Sequence, residues 1–200
     1  TGHAGTLDPL ATGVVVCCLG KATRLVESLM GLTKVYEAAV DLSAFTTTDD
    51  REGPRQEVEV ATPPMQAELE TALGRLIGHV SQRPPNVSAV DVKGRRAYKL
   101  ARKGRQVERA ERIVRIDAID LLSYSWPIAT IKVTCGRGTY IRSIARDLGV
   151  ALGTGGHLAS LRRLAVGSYD LSKAVDESRF NSAITQADLL PMPSDVAAQS

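Results

Sequence analysis

Hydrophobic positions in this chain follow two different spacings, which predict strands in some segments and helices in others. Short alternating or continuous apolar runs predict strands at 14–19, 34–42, 87–92, 113–124 and 128–135, with a further core segment at 158–166. Apolar residues three and four positions apart predict helices at 20–31, 62–78 and 139–152, and a short basic helix at 95–103. Residues 43–56, rich in Thr, Asp and Gly, predict a loop. Helices interspersed with paired strands predict a mixed α+β domain.

Size and composition indicate one domain with an aliphatic core. Of the 200 residues, 44% are hydrophobic and only 4% are aromatic. No apolar run approaches the roughly 20 residues that a membrane-spanning helix needs, so no membrane partner is expected. Cys17, Cys18 and Cys135 lack metal-ligand spacing, and we interpret them as buried thiols in a reducing cytoplasm. As strand neighbours, Cys17 and Cys18 are expected on opposite faces.

Positive charge is concentrated in one segment. Residues 93–115 hold ten basic and two acidic side chains, a local charge of +8, which leaves −5 for the rest of a chain whose total is +3. Such segregation suits a polyanionic partner such as RNA. On charge alone, a solvated helix face explains the same run.

The segment 2–13 carries the most specific chemical pattern in the sequence. It places glycines, two threonines and a histidine around one carboxylate, Asp8, directly before the apolar run 14–19. Glycine allows the backbone to pass close to a ligand, and Pro9 restricts the turn that follows Asp8. The pattern predicts a stiff loop that presents one carboxylate in front of a buried strand. An isolated Asp-Pro pair would indicate only a turn into a core strand.

Short motifs along the chain occur in an order that resembles the TruB family of tRNA pseudouridine synthases. Each motif alone is weak evidence, whereas the ordered set is difficult to explain otherwise. Besides the Asp8 loop, the motifs are Lys34-Val35-Tyr36-Glu37-Ala38, 46–53, Gln82-Arg83-Pro84-Pro85, Ser88-Ala89, Gly94, 98–102, Gly138-Thr139-Tyr140-Ile141-Arg142 and Leu161-Arg162-Arg163-Leu164. The resemblance implies a pseudouridine synthase fold: a central mixed, largely antiparallel sheet flanked by helices, with a basic thumb insertion.

The resemblance also implies the catalytic residues. The reaction needs one nucleophile, a dry pocket and a base taken out of the stack. Asp8 matches the family's nucleophile, and Arg142 matches the arginine that pairs with it through the two donors of a guanidinium. Tyr36 matches the tyrosine that stacks on the target uracil and is a candidate proton acceptor. The sequence offers no Gly-rich phosphate loop and no His/Cys cluster, so no cofactor or metal is expected.

Other positions match the RNA-binding parts of the family. Tyr140 and Leu161 correspond to residues that line the uracil pocket, and His3 to a histidine that fills the gap left by the flipped base. The remaining candidates are basic side chains expected to contact RNA, which are Arg95, Arg96, Lys99, Arg102, Lys103 and Arg163. The implied substrate is the T-loop uridine of tRNA, bound through the T stem-loop by a monomeric enzyme.

Domain boundaries are a further implication of the resemblance. Residues 1–190 are expected to form the catalytic domain, with the thumb at about 83–115 and a C-terminal tail at 191–200. The family normally has a strand and a helix ahead of the position of Thr1, and we expect a catalytic domain that lacks them. We also expect no C-terminal RNA-binding PUA domain.

Three other classes of protein fit parts of the pattern. A guide-RNA-dependent enzyme of the dyskerin branch would share the Asp8 loop, although the residues at 9–13 and 145–149 resemble TruB more closely. A non-catalytic tRNA-binding protein or chaperone would use the basic segment without needing Asp8 and Arg142 together. A glycoside hydrolase needs two carboxylates at the sugar, and Asp49 and Asp50 are the close acidic pair in a loop.

Overall fold

A seven-stranded sheet forms the centre of the fold. The structure, a computed structural model, describes residues 1–85, 91–92, 95–96 and 110–191. Across the sheet the order is β13 (Tyr169–Asp170), β12 (His157–Val166), β4 (Lys34–Asp41), β11 (Ile128–Cys135), β10 (Arg112–Ser125) and β7 (Gly78–Gln82), and β2 (Ala11–Gly13) also pairs with β12. All of these pairs are antiparallel except β2 with β12, which is parallel.

Smaller elements surround this sheet. Three two-stranded pairs join β1 (Gly2–His3) to β3 (Cys17–Cys18), β5 (Ala44–Thr46) to β6 (Arg55–Glu57), and β8 (Asp91–Val92) to β9 (Arg95–Arg96). Among the residues that the structure describes, the α-helices are α1 (Val26–Gly31), α2 (Gln66–Gly74) and α3 (Ile141–Leu152). Short 3-10 helices occupy Gly20–Leu25, Leu171–Lys173, Glu177–Asn181 and Gln186–Asp188.

The main core lies between the sheet and helices α2 and α3. Alternate residues of β11 point into it, and the last of them is Cys135. Helix α3 adds Ile144 and Leu148, while α2 adds Leu69 and Leu73, and all four are buried. A second, smaller cluster gathers around Ala4, Cys18 and Leu29 under α1. The sheet and α3 therefore form a rigid base on which the loops at their ends are held.

Several predicted elements are confirmed. The fold is α+β with a central mixed sheet and few helices, as expected. The predicted strands at 34–42, 113–124 and 128–135 correspond to β4, β10 and β11, and the predicted helix at 139–152 corresponds to α3. Cys17 and Cys18 lie on opposite faces, but Cys17 is exposed, so the prediction of three buried thiols is wrong for that residue.

Other predicted elements need correction. Of the strand predicted at 14–19, only Cys17–Cys18 form one, β3, which pairs with β1. The strand that pairs with β12, β2, ends before this segment, at Gly13. The helix expected from Thr62 begins only at Gln66, since a residue before proline disfavours helical backbone and Pro63 and Pro64 follow in succession. The expected loop at 43–56 contains the β5–β6 pair. These strands were not predicted because they are three residues long and mostly polar, without an alternating apolar pattern.

The predicted basic helix at 95–103 is also wrong at its start, because Arg95–Arg96 form a strand. The remainder of that helix lies outside the described residues, as do most of the predicted strand at 87–92 and the tail beyond residue 191. Within the described residues, none of the helices has the length and apolar character needed to cross a membrane.

Candidate active site

Asp8 lies in the loop between β1 and β2, and one buried arginine on β12 holds that loop. Arg163 is 1% exposed and donates from Nε to the carbonyl of Val14 at 2.7 Å and from Nη2 to that of Gly5 at 3.0 Å. A turn follows Asp8, because the Ala11 amide donates to the Asp8 carbonyl at 2.9 Å. Arg163 therefore holds the start of the loop and the residue after β2, and the turn fixes the backbone next to Asp8.

Gly13 allows this loop to approach β12 closely. Its φ is 102°, in the region that favours glycine, and a Cβ at this position would overlap the backbone of Arg163. The Val14 amide then donates to the Arg163 carbonyl at 2.9 Å. Gly13 therefore allows close packing of β2 against β12.

Arg142 connects Asp8 with a second carboxylate, that of Asp50. It is the second residue of α3, and its Nη2 lies 2.8 Å from Oδ1 of Asp8 while its Nη1 lies 3.1 Å from Oδ2 of Asp50. The Arg142 side chain is 6% exposed and that of Asp50 is 4% exposed, whereas Asp8 retains 29%. The cation and one carboxylate are therefore sealed in the protein, and the Asp8 carboxylate remains accessible from outside.

Asp50 is a site residue that the sequence interpretation missed. Its Oδ1 accepts hydrogen bonds from Thr48 Oγ1 at 2.6 Å and from the Glu52 amide at 3.0 Å, which leaves Oδ2 directed at Arg142. The loop itself is docked on β12, because the Arg51 amide donates to the Leu158 carbonyl at 2.9 Å. The neighbouring carboxylate, Asp49, pairs with a different arginine. The motif at 46–53 was the available signal for this loop.

Asp49 belongs to a second pair one helical turn further along α3. Arg146 Nη1 lies 2.7 Å from Oδ2 of Asp49, and both side chains are largely buried. Burial raises the pKa of the Asp49 carboxyl, and the charge of Arg146 opposes that shift. The acidic pair singled out in the sequence thus divides between two arginines, an arrangement unlike two free carboxylates facing a sugar.

Tyr36 and Leu161 lie on neighbouring strands beside the loop. Tyr36 on β4 is opposite Arg163 on β12, and Leu161 is opposite Ala38 on β4 and Ala11 on β2. Leu161 is 6% exposed and belongs to the main core, against which the Tyr36 ring also packs. Burial raises the pKa of Tyr36, and the charge of Arg163 opposes that shift without cancelling it. The phenol is therefore neutral at physiological pH.

Tyr140 and His3 have contrasting surroundings. Tyr140 is the residue before α3, two positions from Arg142, and the Arg112 guanidinium lies 4.6 Å from the centre of its ring. His3 is exposed on β1, opposite Cys17 on β3, at the start of the loop that carries Asp8. The structure thus brings the side chains of Asp8 and Arg142 into contact. Tyr140 precedes Arg142 by two residues, at the start of the same helix.

The basic candidates have a mixed outcome. Arg163 is buried and bound to loop carbonyls, so the expectation that it contacts RNA is corrected: it supports the loop. Only the backbone of Arg95 and Arg96 is described, in β9. Lys99, Arg102 and Lys103 lie outside the described residues. Where side chains are described, no group of three His, Cys, Asp or Glu residues is arranged to hold a metal ion.

Solved structures share this fold. The crystal structure of a Cbf5-Nop10-Gar1 complex matches with a TM-score of 0.63 and 29% sequence identity, over 85% of this chain and 41% of that chain. The crystal structure of the archaeal box H/ACA sRNP Nop10-Cbf5 complex matches with a TM-score of 0.59 and 25% identity, over 85% and 40% of the two chains. The fold is that of the pseudouridine synthases.

Sequence comparisons identify the family. A model described as TruB family pseudouridylate synthase (N terminal domain) matches residues 1–141, and one described as tRNA pseudouridylate synthase B C-terminal domain matches residues 142–191. The chain belongs to the TruB family. The tRNA pseudouridine synthase B of Mycobacterium sp. (strain KMS) is 45% identical, over 96% of this chain and 68% of its own length. That of Bacteroides fragilis (strain YCH46) is 44% identical, over 94% and 81%.

Proposed function

We propose that this chain converts the T-loop uridine of tRNA into pseudouridine, with Asp8 as the nucleophile. The observation that carries the proposal is the 2.8 Å contact between Arg142 Nη2 and Asp8 Oδ1 in a loop that is otherwise held by buried groups. Relatives that carry the name tRNA pseudouridine synthase B support the reaction and the RNA substrate. The T-loop position of the uridine follows from the resemblance of the motifs.

The chemistry explains why one fixed carboxylate suffices. The N1–C1′ bond of the uridine breaks, a C5–C1′ bond forms, the C5 proton leaves to solvent and N1 takes up a proton. The net change is an isomerisation that consumes no other substrate. Asp8 supplies the nucleophile, and Arg142 fixes the direction of its carboxylate.

The pocket residues have distinct proposed roles. Tyr36 stacks on the uracil as a neutral ring. It is also the candidate acceptor of the C5 proton, a role that it can fill only as the phenolate, after its own proton has left to solvent. Leu161 forms an apolar wall, Tyr140 closes the side next to Arg142, and His3 fills the gap left when the base flips. Flipping costs a few kcal/mol, which such replacement stacking offsets in part.

RNA binding is assigned to the basic segment. The side chains of Arg95, Arg96, Lys99, Arg102 and Lys103 contact phosphates of the T stem-loop and set its position rather than read its sequence. We propose that the enzyme acts as a monomer in the cytoplasm, on free tRNA and without guide RNA. The match of both TruB family models supports action without guide RNA over the dyskerin-type alternative.

The test is incubation of the purified chain with a T stem-loop RNA, followed by mapping of pseudouridine by mass spectrometry. The expected product is one pseudouridine at the T-loop uridine, without any added guide RNA. A stem-loop with cytidine at that position is the matched control and should remain unchanged. RNA binding without any product would support the non-catalytic tRNA-binding class, and a product formed only with guide RNA would support the dyskerin type.

A further inference from the structure

Gln82, the last residue of β7, holds the backbone of Tyr140 from both sides. Its Nε2 donates to the Tyr140 carbonyl at 3.0 Å, and its Oε1 accepts from the Tyr140 amide at 2.8 Å. The residue is 2% exposed, so both hydrogen bonds are shielded from water. Tyr140 is the N-cap residue of α3, and its own side chain makes no capping hydrogen bond. The amide of Gln82 therefore fixes the point at which the helix of Arg142 begins.

The strand partner of Gln82 holds the same tyrosine by its ring. Arg112 is opposite Gln82 in the β7–β10 pair, and its guanidinium lies 4.6 Å from the centre of the Tyr140 ring. Arg112 also donates to the Gly138 carbonyl, two residues before Tyr140. One cross-strand pair thus restrains both the backbone and the ring of a pocket residue.

The residue after Gln82 is anchored to the same helix. The Arg83 carbonyl accepts from Ser143 Oγ at 2.8 Å and from Arg146 Nη2 at 2.9 Å. Arg83 begins the segment that leads into the basic region, and Arg112 lies near the end of that segment. The start of the proposed RNA-binding segment is therefore bound to the first two turns of α3, and Arg112 near its end is bound to the residues just before that helix.

We propose that Gln82 is a positioning residue of the active site, which holds Tyr140 in the uracil pocket at the start of the helix that carries Arg142. The effect of Gln82 on the reaction rests on the proposed function. A carboxamide of this length supplies one donor and one acceptor to the same residue without a charge. Ionised glutamate loses the donor and brings a charge into a buried position, and methionine loses both strong hydrogen bonds.

The experiment compares Gln82→Met and Gln82→Glu with the wild type, all in the full chain. The matched control is Leu73→Ala, a buried core change in α2 that leaves the Gln82–Tyr140 contact intact. The substrate is a T stem-loop RNA with tritium at C5 of the uridines, because the isomerisation releases that atom to water. Single-turnover tritium release, RNA affinity, thermal unfolding and amide hydrogen exchange over residues 139–144 are measured on each protein.

We expect Gln82→Met to lower the single-turnover rate about tenfold or more, since small misplacements in an active site have effects of that order or larger. RNA affinity should stay within about threefold, because Ser143 and Arg146 still hold Arg83. Exchange at Tyr140 should accelerate in both Gln82 variants and not in Leu73→Ala. Gln82→Glu should be at least as slow as Gln82→Met.

Three results would overturn this inference or separate it from the proposed function. A Gln82→Met protein with wild-type rate and wild-type exchange at Tyr140 refutes it. A Leu73→Ala protein with the same loss of rate would show that stability, rather than positioning, controls the reaction. If the wild type itself releases no tritium, the proposed function fails together with the effect of Gln82 on the reaction, and hydrogen exchange alone decides whether Gln82 positions Tyr140.

Discussion

Substitution of Asp50 by asparagine tests the role of the second carboxylate at Arg142. The substitution keeps the shape of the side chain and removes the charge that faces Arg142 Nη1 at 3.1 Å. Of the two carboxylates, only that of Asp8 then remains at Arg142. The orientation of the guanidinium is less well defined because the charge opposite Nη1 is lost. We expect folded protein that binds RNA and turns over slowly.

The magnitude follows from the burial of the pair. The side chains of Arg142 and Asp50 are 6% and 4% exposed, so water screens their interaction little. A hydrogen bond to a charged group contributes about 1.5–3 kcal/mol. The single oxygen of asparagine can accept from Arg142 or from Thr48 and the Glu52 amide, but not from both sides. If about 2 kcal/mol is lost from the transition state, the rate constant falls about 30-fold.

The assay is single-turnover tritium release at an enzyme concentration that saturates the RNA. The matched control is Asp49→Asn, because Asp49 is adjacent in sequence and pairs with Arg146 rather than with Arg142. We expect its rate constant to remain within about threefold of the wild type. Equal effects of the two substitutions, or an Asp50→Asn protein as fast as the wild type, would refute the reasoning.

Three further predictions concern the loop, the pocket and the thiols. Arg163→Met removes the donors to the loop carbonyls and should lower the free energy of unfolding by about 3 kcal/mol or more, while its exposed neighbour Arg162→Met changes it by about 0.5 kcal/mol or less in urea titrations. Equal losses would contradict the support role. Tyr36→Phe should keep RNA affinity and slow a late step after C5 attachment, and unchanged turnover would restrict Tyr36 to stacking. Burial raises the pKa of Cys135 to about 11 from 9.0, so its contribution to stability is complete below pH 9 and is lost as the pH rises through 11. At pH 8, mass spectrometry after brief alkylation should therefore find Cys17 modified before Cys135, and the reverse order would contradict the burial.

Local patterns predicted the elements that carry the site better than they predicted the contacts between them. The alternation in β4, β10 and β11 and the helical spacing of α3 reflect which side chains face one core, and this information is local in the sequence. Asp8 and Arg142 were predicted through motifs, and the structure brings their side chains together. Their chemical roles remain proposals.

The remaining site contacts depend on partners that are distant in sequence. Arg162 and Arg163 are adjacent on a strand, so one is exposed and the other buried, and the carbonyls that accept from Arg163 lie some 150 residues earlier. Asp49 and Asp50 likewise read as one acidic pair, although each faces a different arginine of α3. The sequence pattern alone does not indicate which of two adjacent arginines is buried, or which arginine each of two adjacent aspartates contacts.

The central claim, that Asp8 is the nucleophile, is tested most directly by Asp8→Asn. The variant is incubated with the T stem-loop RNA at a concentration that saturates the wild type, and pseudouridine is measured by mass spectrometry. We expect RNA affinity and thermal unfolding close to those of the wild type and no pseudouridine. Pseudouridine formed by the purified Asp8→Asn protein would contradict the claim.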